Sequence, residues 1–107
     1  MTAFEKWKRF IEHLVDVYLI VTPQEKERLQ AELSVIEKTN CAEIFQAIYG
    51  AWHSIKIKGI HSYITGEAEE WFIFHFLDMV RESPIEREIP TQIPSKITFV
   101  IEGKAKM

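Results

Sequence analysis

Four histidines are the residues of this chain with the most specific potential chemistry, because a neutral imidazole can bind a metal ion or act as a base near neutral pH. They are His13, His53, His61 and His75. Metal ligands on helices are usually three or four residues apart so that they project from one face, and no two histidines here have that spacing. His75 interrupts an apolar segment, where Asp78 is its expected hydrogen-bond partner. A small-ligand or metal-binding helical protein that uses His75, His53 or His61 is therefore the alternative function.

Cys41 and three neighbouring carboxylates (Glu67, Glu69 and Glu70) are the other groups that could do chemistry. A helix N-terminus lowers a thiol pKa, but a cysteine nucleophile also needs a nearby base, which the sequence does not indicate. The carboxylates are better explained as favourable charges at the start of a helix. The four glycines are scattered, so no phosphate-binding loop is present. We expect no catalytic residue, no metal and no cofactor, and the pattern favours a non-enzymatic protein.

Charge and composition narrow the class of partner. The formal net charge of −3 argues against nucleic-acid binding, which requires a basic surface. No apolar run approaches the roughly 20 residues that span a bilayer, and no secretory signal is evident at the N-terminus. The single cysteine, Cys41, fits a reducing compartment. The expected location is the cytoplasm, with neither a membrane nor a nucleic acid as partner.

Helix start signals divide the first part of the chain. Thr2, Thr22 and Asn40 are each followed three residues later by a glutamate, which is the pattern of a capping box. Together with the apolar periodicity, these signals predict helices over 3–21, 23–38, 41–58 and 66–82. The expected core centres on seven apolar side chains, which are Trp7, Ile11, Leu14, Ile48, Trp52, Phe72 and Phe76.

The fourth segment is ambiguous. Residues 71–77 are apolar nearly all round, which is typical of a helix at the centre of a core. The same residues are rich in β-formers, and 55–58 alternates like a strand. A β-hairpin through 54–77, with Gly66 and Glu67 in its turn, is therefore the alternative.

The last part of the chain is predicted to be an extended arm. Pro90 and Pro94 exclude a helix, and each pushes the preceding isoleucine to an extended conformation. The arm ends in 96–102, the clearest strand in the sequence. The fold class is therefore mainly α, a four-helix bundle-like domain (1–83) with a C-terminal arm (84–107) ending in one strand, both in a single domain. The alternative is α+β, with N-terminal helices followed by a small antiparallel sheet.

This strand carries the functional hypothesis, because a lone strand leaves its backbone unpaired. It must pair with the 54–64 segment, with the same strand in a second copy, or with another protein. We expect a small non-enzymatic interaction module, an adaptor, regulator or inhibitor that self-associates as a homodimer. Replacing Val100 with proline should remove a ladder donor and act nearly like deletion of the arm. The expected partner-binding residues are Ile89, Ile93, Ile97, Phe99 and Ile101.

Overall fold

A computed structural model describes residues 1–18 and 21–104, without the side chains of residues 103 and 104. Three long helices come first, followed by a strand, a short 3-10 helix, a short α-helix and a final strand. Their bounds are α1 Ala3–Val17, α2 Pro23–Thr39, α3 Ala42–Lys56, β1 Ile60–Gly66, the 3-10 helix Glu67–Glu70, α4 Phe72–Phe76 and β2 Ile97–Lys104.

The three long helices begin close to their predicted starts. Thr2 caps α1, and Thr22 forms a complete capping box with Glu25 at the start of α2. Asn40 is not the cap of α3, as predicted, but the left-handed C-terminal residue of α2, with φ 54°. The predicted helix 3–21 is too long, because Tyr18 is already extended; residues 19 and 20 lie outside the described residues.

The predicted helix over 66–82 is wrong. Its first residue, Gly66, has φ 90° and ends β1, and only the 3-10 helix and α4 are helical beyond it. The extended backbone of Trp71 separates these two turns, and Asp78 is left-handed with φ 65°. The segment is buried on several sides at once, so tertiary contacts replace the regular helix that its N-terminal charges suggested.

The two strands form one antiparallel sheet, with Tyr63 opposite Val100 and Ile64 opposite Phe99. The hairpin predicted through 54–77 is therefore also wrong, because β1 pairs with the distant β2. The fold class is confirmed as mainly α with a small sheet. The long-range pairing also makes residues 84–104 part of the same folded unit.

The core lies between the three long helices and α4. Of the seven predicted core residues, Trp7, Ile11, Trp52 and Phe72 are buried. The other three, Leu14, Ile48 and Phe76, are partly buried and contact the core. Phe45 lies at its centre, with Trp71 edge-on at 4.7 Å and Phe74 stacked at 5.0 Å.

Candidate functional site

The arm is held at its beginning by a buried ion pair on α2. The Nε atom of Arg28 lies 2.8 Å from Oε2 of Glu32, and the Glu32 side chain is 0% exposed. The guanidinium of Arg28 also donates to the backbone carbonyls of Arg87, Glu88 and Glu70. Because two of these carbonyls belong to the arm, Arg28 fixes the chain where it leaves the core.

The carboxylate of Glu32 completes this anchor, which we call the buried anchor (Arg28 and Glu32). It accepts hydrogen bonds from the amides of Phe72 at 2.7 Å and Ile73 at 2.8 Å. These are free amides at the start of α4, and a carboxylate is a favourable partner for them. Desolvation raises the pKa of Glu32, although Arg28 and the two amides oppose this shift.

A second anchor holds the arm just before β2. The carboxylate of Glu67 accepts from the Ser95 amide at 2.6 Å, the Ser95 hydroxyl at 2.9 Å and the Lys96 amide at 2.7 Å. These bonds lower the pKa of Glu67, with the amide of Ser95 as the largest cause. We call Glu67 the surface anchor. Beside it, a Cβ on Gly66 would overlap the carbonyl oxygen of Lys96, so the two strands meet here at a distance that only glycine permits.

The pairing of β1 with β2 decides which backbone groups of β2 remain free. The amide of Ile64 donates to Met79 at 2.8 Å, so the backbone of Ile64 points away from β2. Its cross-strand partner Phe99 must therefore point its own amide and carbonyl away from β1. By alternation, Ile97 and Ile101 point the same way, whereas Thr98 and Val100 face β1.

This outer side of β2, which we call the free edge, is defined by the backbone groups of Ile97, Phe99 and Ile101. Within residues 1–18 and 21–104, none of them makes a backbone hydrogen bond outside the ladder with β1. A bulge opposite the step from His61 to Ser62 ends the regular ladder after Ile101. The free edge is therefore a segment of five residues, Ile97 to Ile101.

Four of the five predicted partner-binding residues are exposed. Ile101 is 60% exposed and Phe99 36%, and Ile89 and Ile93 are also exposed. Ile97 instead contacts the core. Their part in binding a partner stays a prediction, and Phe99 and Ile101 combine exposed side chains with free backbone groups.

The expected effect of proline at Val100 is wrong as an interface test. The amide of Val100 faces Tyr63 of its own chain, so proline there would break the ladder between β1 and β2. Deletion of 84–107 would likewise remove a strand and the arm carbonyls that Arg28 binds. Neither change isolates a surface function, because the arm is built into the fold.

The histidines do not assemble a site. His75 is partly buried, and its Nδ1 lies 3.1 Å from the carbonyl of Val80 rather than near the expected Asp78. Asp78 is exposed, with its carboxylate 3.8 Å from Lys56. His53 stacks on Tyr49. Within the described part of the chain, no three His, Cys, Asp or Glu side chains lie close enough to hold a metal ion.

Cys41 is buried and lies 3.0 Å from the hydroxyl of Thr39. Its side chain does not cap α3, and its free thiol lies within the core. This placement fits the structural role that was expected for it.

Sequence reasoning missed the buried anchor, although a signal for it existed. Glu32 stands within the apolar stripe of α2 formed by Leu29, Leu33 and Ile36, and Arg28 precedes it by one turn. A charged residue in such a stripe requires a buried partner. Which amides and carbonyls complete the network depends on distant segments.

Comparisons with protein-family models, curated proteins and solved structures find no match to this chain. No helix among residues 1–18 and 21–104 is long and apolar enough to cross a membrane. The arguments about function therefore rest on the geometry of this chain alone.

Proposed function

We propose that this chain is a small non-enzymatic protein-interaction module, an adaptor, regulator or inhibitor that acts through its C-terminal arm. The observation that carries the proposal is the free edge. Phe99 and Ile101 present unpaired backbone donors and acceptors next to exposed apolar side chains. A strand edge of this kind can add a strand from a partner, with backbone hydrogen bonds giving affinity and side chains giving specificity.

The two anchors support this function by fixing the arm before any partner arrives. Arg28 holds the arm at Arg87 and Glu88, and Glu67 holds it at Ser95 and Lys96. An ordered strand loses little conformational entropy on binding, so more of the interaction energy appears as affinity.

Location and partner class are further parts of the proposal. A buried free thiol at Cys41 and the absence of any other cysteine fit the cytoplasm. The net charge of −3 fits a protein partner better than a nucleic acid. The competing hypothesis of a bound metal or small ligand at His75, His53 or His61 predicts metal or a coloured cofactor in the purified protein.

The test is affinity capture followed by reconstitution. Wild-type, Ile101→Lys and Ile57→Lys baits are compared in the same lysate by quantitative mass spectrometry. Ile57 is the matched control, because it is 70% exposed and lies on a loop away from β2. A partner of the free edge should be captured by wild type and Ile57→Lys but at least about tenfold less by Ile101→Lys, since a charge at a strand edge opposes pairing.

Each candidate is then purified and titrated against the three proteins by calorimetry. Loss of affinity confined to Ile101→Lys would support the proposal. Identical capture and affinity for all three baits would refute the arm as the interaction surface.

A further inference from the structure

We infer that the free edge of β2 pairs with the free edge of β2 in a second copy of this chain, in an antiparallel arrangement centred on Phe99. This inference names the partner of the surface proposed above and rests on that proposed function. The resulting two-fold interface would be isologous, with the same residues contributed by each copy.

The charges that flank the free edge favour the antiparallel direction. Lys96 precedes the five-residue segment and Glu102 follows it. In an antiparallel pair centred on Phe99, Lys96 lies beside Glu102 of the second copy. A parallel pair would place like charges side by side at both ends, which is destabilising. Glu102 already contacts Arg81, so the approaching lysine would extend an existing ion pair.

The backbone determines the centre of the pair. Phe99, Ile97 and Ile101 are the residues whose amides and carbonyls face outward. With Phe99 opposite itself, Ile97 of each copy faces Ile101 of the other, and every outward amide meets an outward carbonyl. Moving the centre to Ile97 or Ile101 would leave two of the three outward-facing residues without a strand partner.

The side chains complete the match. The two exposed Phe99 rings become neighbours across the axis, and aromatic pairs at such positions are favourable. On the opposite face, Thr98 lies beside Val100 of the second copy. The interface is only five residues long, so the expected affinity is weak, with a dissociation constant of about 10 μM to 1 mM.

The sharpest test uses opposite charges at the centre. Phe99→Lys and Phe99→Glu each place like charges beside each other across the axis, so each variant alone should dimerise at least about tenfold more weakly than wild type. An equimolar mixture of the two should restore the dimer as a heterodimer. Sedimentation equilibrium measures all three samples, and Ile57→Lys is the control expected to match wild type. Circular dichroism confirms that each variant is folded.

A second measurement needs no variant. In dilute wild-type protein, amide hydrogen exchange followed by NMR should protect Thr98 and Val100, which bond to β1, but not Ile97, Phe99 and Ile101. Raising the protein concentration should protect the second set without changing the first.

Several results would overturn the inference. These are a monomer at about 1 mM, a dimer whose outward amides stay unprotected, or a mixture of the two Phe99 variants that fails to dimerise. The proposed function is judged separately by the capture experiment at low bait concentration. Loss of self-pairing with an intact Ile101-dependent partner would refute only this inference, whereas loss of both would refute the arm as an interaction surface.

Discussion

The two anchors of the arm make the same kind of bond in different surroundings. In the buried anchor, the Arg28–Glu32 pair joins α2 to the start of α4 and to the arm. In the surface anchor, the Glu67 carboxylate holds two consecutive residues, Ser95 and Lys96, at the solvent-exposed end of the sheet.

This difference separates a structural core interaction from a local one. Removing one member of a buried pair leaves its partner charged, desolvated and unpaired, which is costly. Removing an exposed carboxylate lets water take over its hydrogen bonds. The buried anchor should therefore control global stability, whereas the surface anchor should control the order of the arm close to the free edge.

The largest expected effect follows from Glu32→Gln. The change keeps the shape of the side chain but leaves Arg28 without its counter-charge, so the free energy of unfolding should fall by about 3–5 kcal/mol. Urea unfolding measures the loss. Glu27→Gln is the control on an exposed position of the same helix and should change stability by less than about 0.5 kcal/mol. Equal effects of the two changes would mean that the pair does not stabilise the fold.

The next effect concerns Gly66, beside the surface anchor. In Gly66→Ala, the new Cβ overlaps the Lys96 carbonyl oxygen at a residue with positive φ, so stability should fall by roughly 2–5 kcal/mol. Gly59→Ala is the matched control, because Gly59 also has positive φ (76°) but no atom within 4 Å of the new Cβ. Its cost should be only about 1–2 kcal/mol. Thermal unfolding of both variants would show whether the close contact between the strands matters beyond backbone conformation.

A smaller effect is expected from Glu67→Gln. The variant loses the charge that strengthens three hydrogen bonds to Ser95 and Lys96, so the melting temperature should fall less than in Glu32→Gln. Added salt should reduce the difference from wild type, since the carboxylate is exposed. Glu70→Gln is the control, with an exposed side chain in the same 3-10 helix. A loss as large as that of Glu32→Gln would contradict the distinction between the anchors.

The smallest effect, and the most specific, is the opposite pH dependence of the two carboxyl groups. The pKa of Glu67 is lowered in the folded protein, so its contribution is complete above the ordinary value of 4.5 and is lost as pH falls through the lowered pKa. The pKa of Glu32 is raised, so its contribution is complete below 4.5 and decreases as pH rises through the raised pKa.

These signs are measured by the stability of wild type minus that of each glutamine variant across the acidic range. The difference should increase with pH for Glu67→Gln and decrease with pH for Glu32→Gln. Two curves of the same sign would show that one of the two pKa directions is wrong.

The residues that were predicted well are those whose structure depends on local chemistry. The starts of α1 and α2 follow from Thr2 and Thr22, whose side chains bond to the helix that they begin. The extended arm follows from Pro90 and Pro94, which exclude a helix wherever they occur. The final strand follows from its alternating β-branched and aromatic residues.

The segment from Ile60 to Val80 could not be predicted in the same way. Its amides and side chains find partners on α2, in the arm and in β2, none of which is near in sequence. The three glutamates at its start suggested a helix terminus. Instead, Glu67 binds the arm, and Glu69 bonds back to the amide of Gly66.

The sequence by itself determined that this chain has three capped amphipathic helices, a proline-restricted arm and a final strand that needs a partner, because these properties depend on neighbouring residues. Only the tertiary structure decided that β1 is that partner within the chain and that Arg28 and Glu32 tie the arm to the core. It also decided which backbone groups of β2 face outward. Strand pairing and charge burial are set by contacts between residues far apart in sequence, and local pattern does not specify which of several compatible partners will meet.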